Sequence, residues 1–162
     1  MSRSDGPRTG RPPCFAPRGM VATSHVLASV AGLQALQRGG SAVDAAIAAN
    51  AVLCVAYPHM AGLGGDGFWL IRDPDEARVR ALNASGPAAR AATRDFYLDL
   101  GQDGIPDRGP LAALTVPGAV DGWRMAHVHY GRLPWADLFG PAIRYARDGI
   151  PVGRSLADWI AR

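Results

Sequence analysis

Nine consecutive residues carry the densest chemical signal in this chain. The run His59-Met60-Ala61-Gly62-Leu63-Gly64-Gly65-Asp66-Gly67 holds four Gly in nine positions. Glycine lets backbone N–H groups converge on an anion, so a phosphate cradle is one reading. The surroundings argue against it. No G-K-[ST] follows, and no G-x-G-x-x-G stands between a strand and a helix. The run leads from a helix to a strand, which is the wrong order. The plainer reading is a tight helix-to-strand turn, with Gly allowing positive φ and close packing.

Other chemical candidates are sparse. His127 and His129 form an H-x-H pair. Two positions apart on a helix, they point to different sides and chelate one metal poorly. One is expected partly buried and the other solvated. His25 falls at a helix start and His59 at a loop start, neither beside a Cys or carboxylate cluster. No metal and no cofactor is expected. Cys14 and Cys54 do not form a disulfide framework. They read as a thiol in a tail and a core residue. Asn83-Ala84-Ser85 fits a glycosylation sequon that is accidental without a leader peptide. No G-x-S-x-G elbow occurs, nor any evident nucleophile–base–orienter set. The residues alone leave function open, including a nucleotide-binding module or a non-catalytic binding or scaffold subunit.

The elements that must position these residues follow from spacing. Met20 to Thr23 is short and β-capable. Val26, Val30, Leu33 and Leu36 recur at helical spacing, and Gly39-Gly40 closes that helix. Ser41 caps the next helix, with Asp44 three residues on as a capping-box partner. Between Ala42 and Ala56 the only charge is Asp44, which predicts a helix buried on every side. Pro58 ends it. Phe68 to Arg72 and Val79 to Leu82 read as a hairpin turning at Asp73-Pro74-Asp75-Glu76. Thr93 caps a short helix through Leu100. Leu114 to Val116 reads as a short strand. A helix from Ala119 turns Val120, Trp123 and Tyr130 to one side and ends at Gly131. Pro134 opens another, with Leu138, Phe139, Ala142, Ile143 and Ala146 inward. Ser155 begins a last helix, and the chain stops inside it, as a cut sequence would.

The whole chain has 162 residues, the size of one domain. Apolar residues make up 48% and charged ones 19%, which excludes a disordered chain. No apolar run is long enough to span a bilayer. Every basic residue is Arg, and all the acids but Glu76 are Asp. Residues 1–18 hold Arg3, Arg8, Arg11 and Arg18 against Asp5, an excess equal to the whole net charge of +3. The remainder is balanced, so neither nucleic acid nor an anionic membrane is an expected partner. The reading divides the chain into a flexible Arg/Pro/Gly-rich tail over 1–18 and a globular α/β part over 19–162. No apolar signal region follows the basic start, so a cytoplasmic location is expected.

Several segments together resemble a known family. They are Gly19-Met20-Val21-Ala22-Thr23-Ser24-His25, the stretch from Leu36 to Asn50, and Pro58 to Asp66. Val116-Pro117-Gly118-Ala119-Val120-Asp121-Gly122-Trp123 and Gly131-Arg132-Leu133-Pro134-Trp135 complete the set. In order and evenly spread from residue 19 to about 152, they look like the N-terminal part of the gamma-glutamyltranspeptidase large subunit. The resemblance implies an α/β (α+β) fold, part of an N-terminal-nucleophile hydrolase αββα sandwich. It implies a proenzyme that cuts itself into two subunits. The new N-terminal Thr of the small subunit then attacks an amide carbonyl, with its own α-amine as base. Backbone N–H groups hold the oxyanion. The implied partners are a small-molecule amide, such as a γ-glutamyl compound, and the small subunit of the same proenzyme.

None of Thr23, Thr93 or Thr115 matches the nucleophile's position, so no catalytic residue is assigned here. The isolated chain is expected to be inactive and to expose apolar surface. One departure bears on substrate. Where glutathione-processing members carry an Arg for the glutamyl α-carboxylate, this sequence resembles them but has Ser85. Arg90 is the nearest Arg downstream. A Ser hydroxyl cannot supply a bidentate charge-assisted pair, worth roughly 1.5–3 kcal/mol per charged hydrogen bond. The resemblance therefore makes non-glutamyl amides, oxamate or acylated β-lactam nuclei, the alternative substrates.

Overall fold

A computed structural model describes residues 13–73, 75–112 and 115–161. Two helices open the fold, α1 (Val26–Gln37) and α2 (Ala42–Ala56). A hairpin follows, β1 (Gly67–Arg72) and β2 (Val79–Ala84), then α3 (Arg94–Asp99) and α4 (Ala119–Tyr130). A 3-10 turn (Trp135–Leu138), α5 (Gly140–Asp148) and α6 (Arg154–Ile160) complete the described chain. The architecture is mixed helix and strand. Its sheet has two antiparallel strands, with Gly67 opposite Ala84 and Arg72 opposite Val79.

Local sequence explains the helix ends. His25 Nδ1 accepts from Leu27 N–H and caps α1. Gly39 takes φ +86° just beyond that helix, a conformation that a Cβ disfavours. Ser41 Oγ accepts from Asp44 N–H at 3.1 Å, and Asp44 Oδ2 accepts from Ser41 N–H at 2.8 Å. This reciprocal box starts α2. Thr93 caps α3 through Phe96 N–H.

The core lies between α1, α2, α4 and α5. Ala28, Ala31 and Ala35 of α1 and Ala45, Ala48 and Ala49 of α2 belong to one buried apolar cluster. Small side chains let the two helices approach closely. Each fully buried large apolar side chain contributes about 1.5–3 kcal/mol, far more than a methyl group. Trp123, Ile47, Leu138 and Val52, all less than 2% exposed, therefore dominate this otherwise Ala-rich core.

Several expectations are corrected. No strand forms at Met20 to Thr23. The helix α2 is not covered all round, because Ala42 and Ala46 are exposed and Asn50 and Leu53 half-buried along one stripe. None of the four Gly in 59–67 takes a positive φ. At Thr115 there is a single bridge to Ala88 instead of a strand, and Leu114 lies outside the described residues. On α4, Trp123 is buried but Val120 is exposed. The helix expected from Pro134 is broken at Phe139, which caps the 3-10 turn and precedes Pro141 in the first turn of α5. Within α5, Ala142 is buried while Ile143 and Ala146 face outward. Cys54 is half-buried, and burial pushes its thiol pKa up. Of the 1–18 tail, residues 1–12 lie outside the described residues and 13–18 are exposed.

The hairpin has two unlike faces. Trp69 and Ile71 pack against the core, while Phe68 and Leu70 are 72% and 80% exposed. Val79, opposite Arg72, is also exposed.

Candidate functional site

The end of β2, the Gly-rich loop and the start of α4 meet at one joint. Its first component is backbone. The Gly65 carbonyl accepts from Gly118 N–H at 3.1 Å and Ala119 N–H at 3.0 Å. These are amides at the start of α4, which have no acceptor within their own helix. Its second component is the next side chain. Asp66 Oδ1 accepts from Gly86 N–H at 3.3 Å and from the Thr115 hydroxyl at 2.8 Å. Val116 N–H donates to the Pro87 carbonyl at 2.9 Å, beside the Ala88–Thr115 bridge.

Close packing explains the glycines here. A Cβ on Gly86 would overlap the Val116 carbonyl, and one on Gly118 would overlap the Ala84 carbonyl. A Cβ on Gly122 would meet that of Ala84. The tight contacts at Gly86, Gly118 and Gly122 thus lie outside the nine-residue run. Gly62 and Gly64, inside the nine-residue run, have nothing within 4 Å of a built Cβ.

Ser85 is half-buried at the exit of β2, and its N–H donates to Asn83 Oδ1 at 2.9 Å. Its hydroxyl reaches the Gly86 carbonyl at 3.5 Å, a long contact. Arg90 is exposed at a turn farther on. Asp66, which sequence reasoning did not single out, carries the joint. The available signal was its position as the only carboxylate in a nine-residue run that holds four Gly.

The remaining candidates fall elsewhere. His127 is half-buried and His129 exposed, as expected of the H-x-H pair. His127 Nε2 lies 2.9 Å from the Leu133 carbonyl and 3.6 Å from Asp44 Oδ1. His59 Nε2 lies 3.0 Å from Ser155 Oγ. Among the described residues no group of three or more His, Cys, Asp or Glu could hold a metal ion. No helix among them is long and apolar enough to cross a membrane. An open cleft of about 970 Å³ runs along the uncovered stripe of α2, between Met20, Val21, Asn50, Ile71 and Arg132. Neither Ser85 nor Arg90 lines it.

The sequence profile described as gamma-glutamyltranspeptidase matches residues 28–162. The glutathione hydrolase-like YwrD proenzyme of Bacillus subtilis is 49% identical over 133 residues, covering 82% of this chain and 25% of that protein. The oxamate amidohydrolase proenzyme of Klebsiella pneumoniae is 51% identical over 144 residues, covering 86% of this chain and 27% of that protein. The crystal structure of Helicobacter pylori gamma-glutamyltranspeptidase superposes with a TM-score of 0.83 at 33% identity. It covers 93% of this chain and 43% of that one. The chain thus spans about a quarter of the length of the curated relatives it matches. On sequence and fold together, the chain belongs to the gamma-glutamyltranspeptidase family and corresponds to the N-terminal part of its large subunit.

Proposed function

We propose that this chain is the N-terminal segment of an amidohydrolase or acyltransferase proenzyme whose Thr nucleophile lies outside these residues. In that reaction the free α-amine of the Thr takes the hydroxyl proton as the oxygen attacks the amide carbonyl. The C–N bond of the substrate amide then breaks, its nitrogen leaves as an amine carrying that proton, and water or an acceptor amine releases the acyl group from the Thr oxygen. The proposed partner is the small subunit cut from the same proenzyme. Together they complete an αββα sandwich, and the exposed outer face of the hairpin supports this reading. The chain alone is inactive in this proposal, and its location is cytoplasmic.

The observation that carries the substrate reading is the residue that β2 delivers to the joint, Ser85. A hydroxyl there offers a neutral hydrogen bond where a guanidinium would offer a charged fork. The proposed substrate is therefore an amide without a γ-glutamyl α-carboxylate, such as oxamate or an acylated β-lactam nucleus. The similarity to an oxamate amidohydrolase proenzyme supports that class. The similarity to a glutathione hydrolase-like proenzyme keeps γ-glutamyl compounds as the second reading, with Arg90 as the carboxylate partner.

The test starts from the source reading frame beyond Arg162, which should encode a Thr that opens a small subunit. The whole proenzyme is then assayed on γ-glutamyl anilide, oxamate and acyl-β-lactams. Ser85→Arg should raise γ-glutamyl kcat/KM about tenfold or more, since one charged hydrogen bond is worth roughly 1.5–3 kcal/mol. Processed enzyme that cleaves none of these amides would overturn the reading. Loss of γ-glutamyl activity in Arg90→Ala, with no gain in Ser85→Arg, would move recognition to Arg90.

A further inference from the structure

We propose that Asp66 is a positioning residue for substrate recognition, holding the backbone that presents Ser85. The inference rests on the reading of Ser85 as the recognition position. Two consecutive residues clamp the joint from one side. Gly65 fixes the start of α4 through its carbonyl, and Asp66 fixes the exit of β2 through its carboxylate. The same oxygen, Oδ1, also holds the Thr115 hydroxyl. It therefore ties together the two segments that flank the Ala88–Thr115 bridge.

Ser85 is anchored from both directions along the chain. Its own N–H is held locally by Asn83 Oδ1. The N–H of the next residue, Gly86, is held by Asp66, 20 residues back. Gly86 has no side chain of its own to fix its backbone. Removing Asp66 leaves that amide without its acceptor and frees the peptide that follows Ser85. A shift of about 1 Å there is enough to weaken a positioned contact severely. Only one carboxylate oxygen makes both bonds, so an Asn carbonyl could replace it and an Ala could not.

The test uses the whole processed enzyme and the amide it cleaves best. Asp66→Ala should raise KM about tenfold and leave kcat within about twofold, the pattern of lost binding without lost chemistry. Asp66→Asn should restore most of the KM. In the Asp66→Ala/Ser85→Ala pair, KM should equal that of Ser85→Ala alone, because both changes remove one function. Unchanged KM, a collapse of kcat alone, or additive effects would each overturn the proposal. If Asp66→Ala does not fold, Thr115→Val keeps the carboxylate and removes one partner. It should raise KM about threefold, and no change would count against the anchor. Should the wild-type enzyme cleave no amide, the functional reading falls and the anchor is read separately. Amide exchange at Gly86 in the whole protein should then be faster in Asp66→Ala than in the wild type, and equal rates would overturn it.

Discussion

The backbone N–H of Arg132 donates to Asp44 Oδ2 at 2.9 Å, across 88 residues of sequence. Asp44 is fully buried, and the same oxygen accepts from Leu133 N–H at 3.2 Å and Ser41 N–H at 2.8 Å. One carboxylate thus caps α2 and fastens the turn between α4 and the 3-10 segment. Asp44→Ala would leave three amides without that acceptor, at about 1–3 kcal/mol for each left buried and unsatisfied. With Ser41 and Leu133 half-buried and Arg132 exposed, the expected loss in urea unfolding is about 2–3 kcal/mol in all. Asp44→Asn keeps an acceptor oxygen and should lose clearly less.

The hairpin turn predicts an acid limb of stability. Asp73 accepts from Asp75 N–H, Glu76 N–H, Arg80 Nε and the Tyr130 hydroxyl. Burial pushes its carboxyl pKa up, but these hydrogen bonds together outweigh that and hold it below the usual value. A depressed folded pKa means that the unfolded chain binds the proton more readily. The contribution is complete above the unfolded value of about 3.9 and is lost as pH falls through the folded value. Tyr130→Phe removes one donor and brings the folded value closer to the unfolded one, so the acid loss of melting temperature should be smaller and end at higher pH, with its onset unchanged. An unchanged acid limb would count against this role of Tyr130.

Glycine substitutions should separate the packed joint from the open loop. Gly86→Ala and Gly118→Ala each drive a methyl into a backbone carbonyl. Backbone gives way less easily than a side chain, so each should cost about 3 kcal/mol, the upper end for overpacking. Gly64→Ala, with open space around it and no positive φ, should stay within about 1 kcal/mol of the wild type. Urea midpoints of the three variants check the contrast, and equal values would contradict the packing described here.

What the sequence determined by itself was local. The Ser41–Asp44 box, the Thr93 cap, the Gly39 terminus and the hairpin each depend on residues close together in the chain. Their geometry follows from short-range sterics and hydrogen bonding, which residue types and spacing encode directly. The ordered motifs from Gly19 to Trp135 carried the family in the same way. The tertiary structure decided which faces are covered and which distant groups meet. Ile143 and Ala146 fit an inward helical stripe by period but face outward, because α5 begins anew after Phe139 and only Ala142 is buried. Asp44 read as a helix cap, yet its carboxylate also fastens a turn 88 residues away. Asp66 is one residue of a Gly-rich run in the sequence, yet its carboxylate joins the exit of β2 to Thr115. Such pairings depend on how the elements pack, and no periodicity along the chain specifies a contact between segments that only the fold brings together.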